Sequence, residues 1–267
     1  MATLSNLIAI NVGNTRTHLG RFSDGELQES VHFECDDFTP ILQKIVGWWK
    51  EIAEKPQASI VLASVNESES RRLTSAVKDQ LSVNVYRAGD DLPVPIARQL
   101  DPETITGIDR LLNAAAAYDL LKQACVVVDV GTAITIDFID GEGTFQGGAI
   151  APGARLQLQS LHDHTSALPE IEFAAPNGEA FGRSTSQAML QGVFHGIRGM
   201  VWKLIERYAE EYGAFPTIIA TGGDADLIFK NDELIDQIVP DLTLQGIYVT
   251  AKTALAGRID KDVDVKK

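Results

Sequence analysis

Apolar positions fall along this chain in two rhythms, short runs fit for strands and longer stretches where they recur every third or fourth residue. Ile8-Ala9-Ile10 leads into Asn11, Val12, Gly13, Asn14 and Thr15, and the chain leaves through the alternating segment Arg16 to Phe22. The arrangement returns at Val126-Val127-Val128, Asp129, Val130, Gly131, Thr132 and Ala133, leaving through Ile134 to Ile139. An apolar run that meets a polar residue, a glycine and a threonine before alternation begins predicts two strands joined by a tight turn. Its repetition predicts a duplicated fold whose copies differ at Asn11 against Asp129.

Between these hairpins strands and helices are expected to alternate. Thr39-Pro40 reads as a helix start with proline in the first turn, followed by Ile41, Leu42, Ile45, Trp48, Trp49 and Ile52 at helical spacing, a stripe most simply assigned to core. Residues 59–65 predict a buried strand, 68–81 a helix, 83–87 a short strand and 109–122 another helix, the alternation of an α/β layer. Leu92-Pro93-Val94-Pro95 interrupts it. In the second half, strands are expected over 126–130, 133–139, 144–150 and 217–220. A long helix should begin near Ser184, where Gln187 stands at capping-box spacing and Met189, Val193, Ile197, Val201, Leu204 and Ile205 supply the inner stripe. The expected division is a first domain over 1–118, a second over 119–258 and a frayed tail over 259–267.

The length of 267 residues suits two moderate domains. A net charge of −14 argues against a nucleic-acid surface, which relies on Lys and Arg. It leaves ATP open, since backbone N–H groups and a cation can hold phosphates. Cys35 and Cys125 are the only cysteines, and with Cys125 entering a buried strand a disulfide framework is not expected. Met1 to Asn6 lacks a basic signal-peptide start, and no run approaches the roughly 20 apolar residues of a membrane helix. A cytoplasmic chain is the expectation, with no membrane and no nucleic-acid partner.

Glycine after a strand lets backbone N–H groups approach phosphate oxygens, with a neighbouring hydroxyl or amide as a further donor. Gly13, Asn14, Thr15 and Arg16 offer this in the first copy, Gly131 and Thr132 in the second. Gly222-Gly223 could serve the adenosine part of a nucleotide or only tight strand–helix packing. Neither a Walker P-loop nor a Rossmann fingerprint occurs. Paired hairpins around phosphate point by analogy to the α/β architecture of actin, Hsp70 and the sugar kinases. In Gly107-Ile108-Asp109-Arg110, a carboxylate beside a guanidinium could take a proton from a hydroxyl while the arginine holds an anion. The same residues could equally be a helix-start carboxylate and a surface pair. His162 and His164 read as solvent-side residues, His195 as packed.

The ordered set N-x-G-N-T, G-x-D-R, V-D-x-G-T-A, Gly147-Gly148-Ala149-Ile150-Ala151-Pro152-Gly153, Ala167-Leu168-Pro169, Gly182-Arg183-Ser184-Thr185 and Thr221-Gly222-Gly223 resembles type III pantothenate kinase over about residues 7–257. The resemblance implies two ribonuclease H-like domains, a homodimer, and transfer of the ATP γ-phosphoryl group to pantothenate in the first step of coenzyme A synthesis. It implies Asp109 as general base, Gly107, Ile108, Asp109, Arg110 and Thr185 as pantothenate contacts, and Asn11, Val12, Gly13, Asn14, Thr15, Arg16, Thr17, His18 and Thr132 as ATP contacts. It implies Mg²⁺ with ATP, and Asp129 as ligand of a monovalent cation, K⁺ or NH₄⁺. Thr185 also reads as a first-turn residue of a capped helix.

Two departures matter. The family pattern begins D-x-G-N-T, so Asn11 replaces a carboxylate with a neutral amide where Mg²⁺ favours charge. An aromatic substrate contact usual upstream of Gly107 is absent at Leu100-Asp101-Pro102. The alternative is therefore an attenuated or non-catalytic ATP- and pantothenate-binding regulator resembling the Bvg accessory factor of the same family.

Overall fold

The structure, a computed structural model, describes residues 6–34 and 38–264; Cys35 and the first residues at the N-terminus lie outside them. In chain order the elements are β1 Asn6–Val12, β2 Arg16–Ser23, β3 Glu26–Glu34, α1 Phe38–Ile52, β4 Ser59–Ser64, α2 Glu67–Leu81, β5 Val85–Arg87, β6 Ala97–Arg98 and α3 Ile108–Leu121. They continue as β7 Cys125–Val130, β8 Ala133–Ile139, β9 Thr144–Pro152, α4 Ala154–Asp163, α5 Thr185–Tyr212, β10 Thr217–Thr221, α6 Ala225–Phe229, β11 Gln237–Ile238 and α7 Leu242–Asp264. Among the described residues no helix is long and apolar enough to cross a membrane.

Two compact units divide the chain. The first comprises the chain through Ala97, Asp101–Leu120 and the chain from Asp241; the second comprises Arg98–Leu100 and Leu121–Pro240. Sequence order alone suggested a join between 118 and 119 with α7 in the second domain; the chain crosses between the units at Leu120 and Leu121. Helix α7 belongs to the first unit. Leu244 and Ile247 are fully buried among Leu7, Phe22, Val61 and Leu112, so the apolar face of α7 finds its core across a long sequence separation. Helix α7 runs to Asp264, with no glycine or proline after Gly257 to stop it.

The first unit is built on a sheet of order β3-β2-β1-β4-β5, the second on β11-β10-β7-β8-β9-β6. In both, three antiparallel strands form a meander, a fourth strand runs parallel to the first, and a fifth parallels the fourth. The duplication expected from the paired hairpins is therefore a duplicated topology. Asn11 and Asp129 are each the penultimate residue of a central strand, opposite His18 and Ala63 in one unit and Thr135 and Thr221 in the other. Both central strands are buried on two faces, and Ile8 and Ile10 contribute about 1.5–3 kcal/mol each by leaving water. Trp48 is buried in that core and Trp49 packs on it, as the helical stripe implied.

Candidate active site

Ligands of open α/β sheets gather beyond the carboxyl ends of parallel strands, and the glycine turns that follow β1 and β7 stand there, one in each unit. In the first, β1 ends at the turn Gly13–Thr15. Gly13 donates its N–H to Arg16 O at 2.9 Å, and a Cβ at Gly13 would sit 2.9 Å from that oxygen, so the turn leaves no room for a side chain. Asn14, Thr15 and Arg16 are exposed, Asn11 and Gly13 half-buried, and Val12, Thr17 and His18 buried. The exposed tip can meet a ligand; the buried base supports it. Arg16 is tied to Glu34 at 2.9 Å.

His18 stacks on His32 with ring centroids 3.7 Å apart. Its Nε2 lies 3.0 Å from Asp241 Oδ1, without the alignment of a hydrogen bond. Burial first, then the neighbouring His32, pushes the His18 pKa down to about 4 against the opposing pull of Asp241. This histidine is neutral at ordinary pH.

Asp109 opens α3. Its Oδ1 accepts from the Arg110 backbone N–H at 2.9 Å, so the helix-start arrangement weighed above is present. Oδ2 has no protein donor among the described residues, so the carboxylate can both anchor the helix start and accept a substrate hydroxyl. A Cβ at Gly107 would lie 2.5 Å from Asp109 Oδ1, so a side chain there would push the carboxylate from its present position. Ile108 packs against Gly89, which follows β5, placing the start of α3 at the carboxyl edge of the first sheet. Helix α7 fixes α3 from behind. Thr243 Oγ1 donates to Asn113 Oδ1 at 2.8 Å, and Gly246 lies so close to the Leu112 backbone that a side chain could not fit.

In the second unit, Asp129 is half-buried and Thr132 exposed. Gly222, with φ +93°, presses on Asp129, a Cβ there falling 2.5 Å from both Asp129 Oδ1 and Val130 O. Gly222, the first glycine after β10, thus packs closely against the β7 carboxylate. Gly153 donates its N–H to Thr132 O at 2.9 Å, fastening α4 to the β7–β8 turn. Among the described residues no three His, Cys, Asp or Glu side chains converge as a metal cage. Asp129 and Asn11 each carry a side-chain oxygen at the end of the central strand of their own unit, the hard donor type that suits a cation held mainly by nucleotide phosphates.

Thr185 is the first residue of α5. Ser184 caps α5, its side chain accepting from Gln187 N–H, as the capping-box spacing predicted. Thr185 lines an open groove of about 820 Å³ between α4 and α5, with Leu156, Gln157, Ser160, Leu161 and Met189 on its walls. Sequence reasoning missed this groove because residues 154–163 carry too sparse an apolar stripe to announce a helix. His164 is exposed, while His162 Nδ1 lies 2.9 Å from Leu168 O and pins a loop. His195, expected to be packed, is exposed, its ring set edge-on against Phe194; it occupies the outer face of α5.

The profile of type III pantothenate kinase matches residues 7–207. The chain belongs to the type III pantothenate kinase family. A relative from Dehalococcoides mccartyi strain CBDB1, named type III pantothenate kinase, is 32% identical over 252 residues, covering 92% of this chain and 95% of that protein. One of the same name from Frankia alni is 34% identical over 90% of this chain and 96% of its own length. Among solved structures, a putative Baf family transcriptional activator from Campylobacter jejuni aligns with a TM-score of 0.61 at 20% identity, over 95% of this chain and 99% of that one. Component A of (R)-2-hydroxyglutaryl-CoA dehydratase from Acidaminococcus fermentans aligns at 0.54 with 12% identity, over 95% and 98%. At these identities the two structures speak for the fold alone, the duplicated α/β plan described above.

Proposed function

We propose that the chain transfers the γ-phosphoryl group of ATP to pantothenate, the first step of coenzyme A synthesis. The observation that carries this reading is the Asp109 carboxylate, held at the carboxyl edge of its sheet by its own helix start with one oxygen open to a hydroxyl. Asp109 takes the proton of the pantothenate hydroxyl as the hydroxyl oxygen attacks the γ-phosphorus and the bond from that phosphorus to the β–γ bridging oxygen breaks, releasing ADP. Gly107, Ile108, Arg110 and Thr185 contact pantothenate, the arginine suiting its carboxylate. The turn within Asn11 to His18 and Thr132 hold ATP. Mg²⁺ on the nucleotide, and a monovalent cation at Asp129, offset charge that builds on the phosphates during transfer. Positioning and neutralisation are most of what this chemistry needs.

Homodimerisation through the α4–α5 groove is part of the same reading, because Leu156 and Leu161 are exposed there as an apolar patch. A monomer mass in solution at micromolar concentration overturns it. The reading also places the chain in the cytoplasm, where its substrates are; export of the chain in its native host would count against that.

One observation favours a second reading, an attenuated enzyme or an ATP- and pantothenate-binding regulator: Asn11 brings no charge at the end of β1. A coupled assay of ATP consumption with and without pantothenate, at millimolar Mg²⁺ and K⁺, separates the two. Pantothenate-dependent turnover is expected, and Asp109→Asn should lower kcat by roughly 10²–10⁴. Asn11→Asp raising kcat strongly marks an attenuated enzyme, whereas binding of both substrates without product favours the regulator.

A further inference from the structure

We infer that Arg155 is a nucleotide phosphate contact, held in place by Asp224. This rests on the reading of the β7–β8 turn as part of the ATP site. Asp224 is almost fully buried, its side chain 4% exposed, and Arg155 Nη1 lies 2.8 Å from its Oδ1 and 2.5 Å from its Oδ2. Asp224 is itself fastened to the turn, donating its backbone N–H to Val130 O at 3.1 Å, one residue before Gly131-Thr132. From the other side, Gly153 N–H bonds Thr132 O. The guanidinium is thereby anchored beside the glycine turn by two independent attachments.

Compensation of a buried carboxylate does not explain the geometry by itself. A guanidinium that only neutralised Asp224 would do so best through two parallel N–H donors; here one nitrogen meets both carboxylate oxygens. The Nε and Nη2 donors have no protein acceptor among the described residues, and the side chain remains 62% exposed. Arg155 also stands in the first turn of α4, where the helix dipole disfavours a cation. A local rule broken with a buried partner recruited to hold the offender is the pattern of a binding position.

The helix geometry selects the ligand. At about 100° per residue, Leu156, Gln157, Ser160 and Leu161 cover one side of α4 and face the groove that Thr185 lines. Arg155 falls on the opposite side, about half a turn away. It therefore addresses the turn and not the groove, and the anion it takes is the phosphate chain of ATP or ADP.

The test compares wild type, Arg155→Ala and Arg155→Lys by calorimetry with ADP and with adenosine, and by steady-state kinetics in ATP and pantothenate. For Arg155→Ala, ADP affinity should fall and KM for ATP rise by roughly ten- to a hundredfold. Adenosine affinity and KM for pantothenate should stay within twofold, and Arg155→Lys should recover part of the loss. A purely structural role cannot separate ADP from adenosine in this way. Unchanged ADP affinity in Arg155→Ala overturns the assignment; where that variant fails to fold, Arg155→Gln, which keeps a hydrogen-bond donor toward Asp224 without the charge, is measured in its place and unchanged ADP affinity there overturns it. A shift in KM for pantothenate with ADP unaffected overturns it equally. Failure of wild type to bind ADP overturns the nucleotide reading as well, which distinguishes the two failures.

Discussion

Individual side chains at this site are set by burial as much as by charge, and His18 shows the consequence. Its depressed pKa, about 4 against 6.5 for the free side chain, means that the unfolded chain takes up a proton that the folded chain refuses between those values. Stability is therefore fully present above about pH 6.5 and is lost as pH falls through the window down to about 4, the sense required when the unfolded state binds more protons. His32, also lowered chiefly by burial, acts in the same direction. The His18 share is on the order of 3 kcal/mol at about 1.36 kcal/mol per unit, the opposing pull of Asp241 being already contained in that pKa. Urea unfolding of wild type and His18→Gln between pH 4.5 and 7.5 should show a shallower pH slope in the variant; equal slopes would show that His18 carries none of the effect.

At the scale of elements, the same physics decides which parts could be read from sequence. Ser184 with Gln187 was legible because a cap is a local bargain, one side-chain oxygen for one orphan N–H. Ser184→Ala should lower unfolding free energy by about 1 kcal/mol and loosen the first turn of α5, raising KM for pantothenate through Thr185 while leaving KM for ATP unmoved. Denaturant midpoints and the two KM values check this. The hairpins at Asn11 and Asp129 were legible because a buried strand and its glycine turn leave a compact pattern. Helix α4 was not, since only Ala154 and Leu158 of its residues are buried. The pairing of Arg155 with Asp224 was also invisible, because the two are 69 residues apart and each looks locally like an ordinary surface charge. Gly222 was read as open between adenosine contact and packing, and its positive φ with Asp129 against it shows the packing role.

For the whole molecule, the telling feature is that the chain leaves its first unit after α3 and returns to complete it with α7. Sequence order alone suggested a first domain ending near 118, since nothing in a linear pattern says which core an amphipathic helix joins. In the structure, Leu244, Ile247, Tyr248 and Ala251 close the core formed by Leu7, Phe22 and Leu112, with Tyr248 stacked on Phe22 at 4.8 Å between centroids. The same helix carries Thr243 and Gly246, which fix α3 and with it Asp109. A fragment of residues 1–120 should therefore be loosely packed, because removing α7 exposes several large apolar side chains at about 1.5–3 kcal/mol each, a sum comparable to the stability of a domain. Appending residues 241–264 through a flexible linker should restore near-ultraviolet circular dichroism and a cooperative urea transition. Were residues 1–120 alone to unfold cooperatively with a dispersed amide spectrum, α7 would be an accessory to that core and not its closing element, and the placement of Asp109 would have to come from α3 and its loop alone.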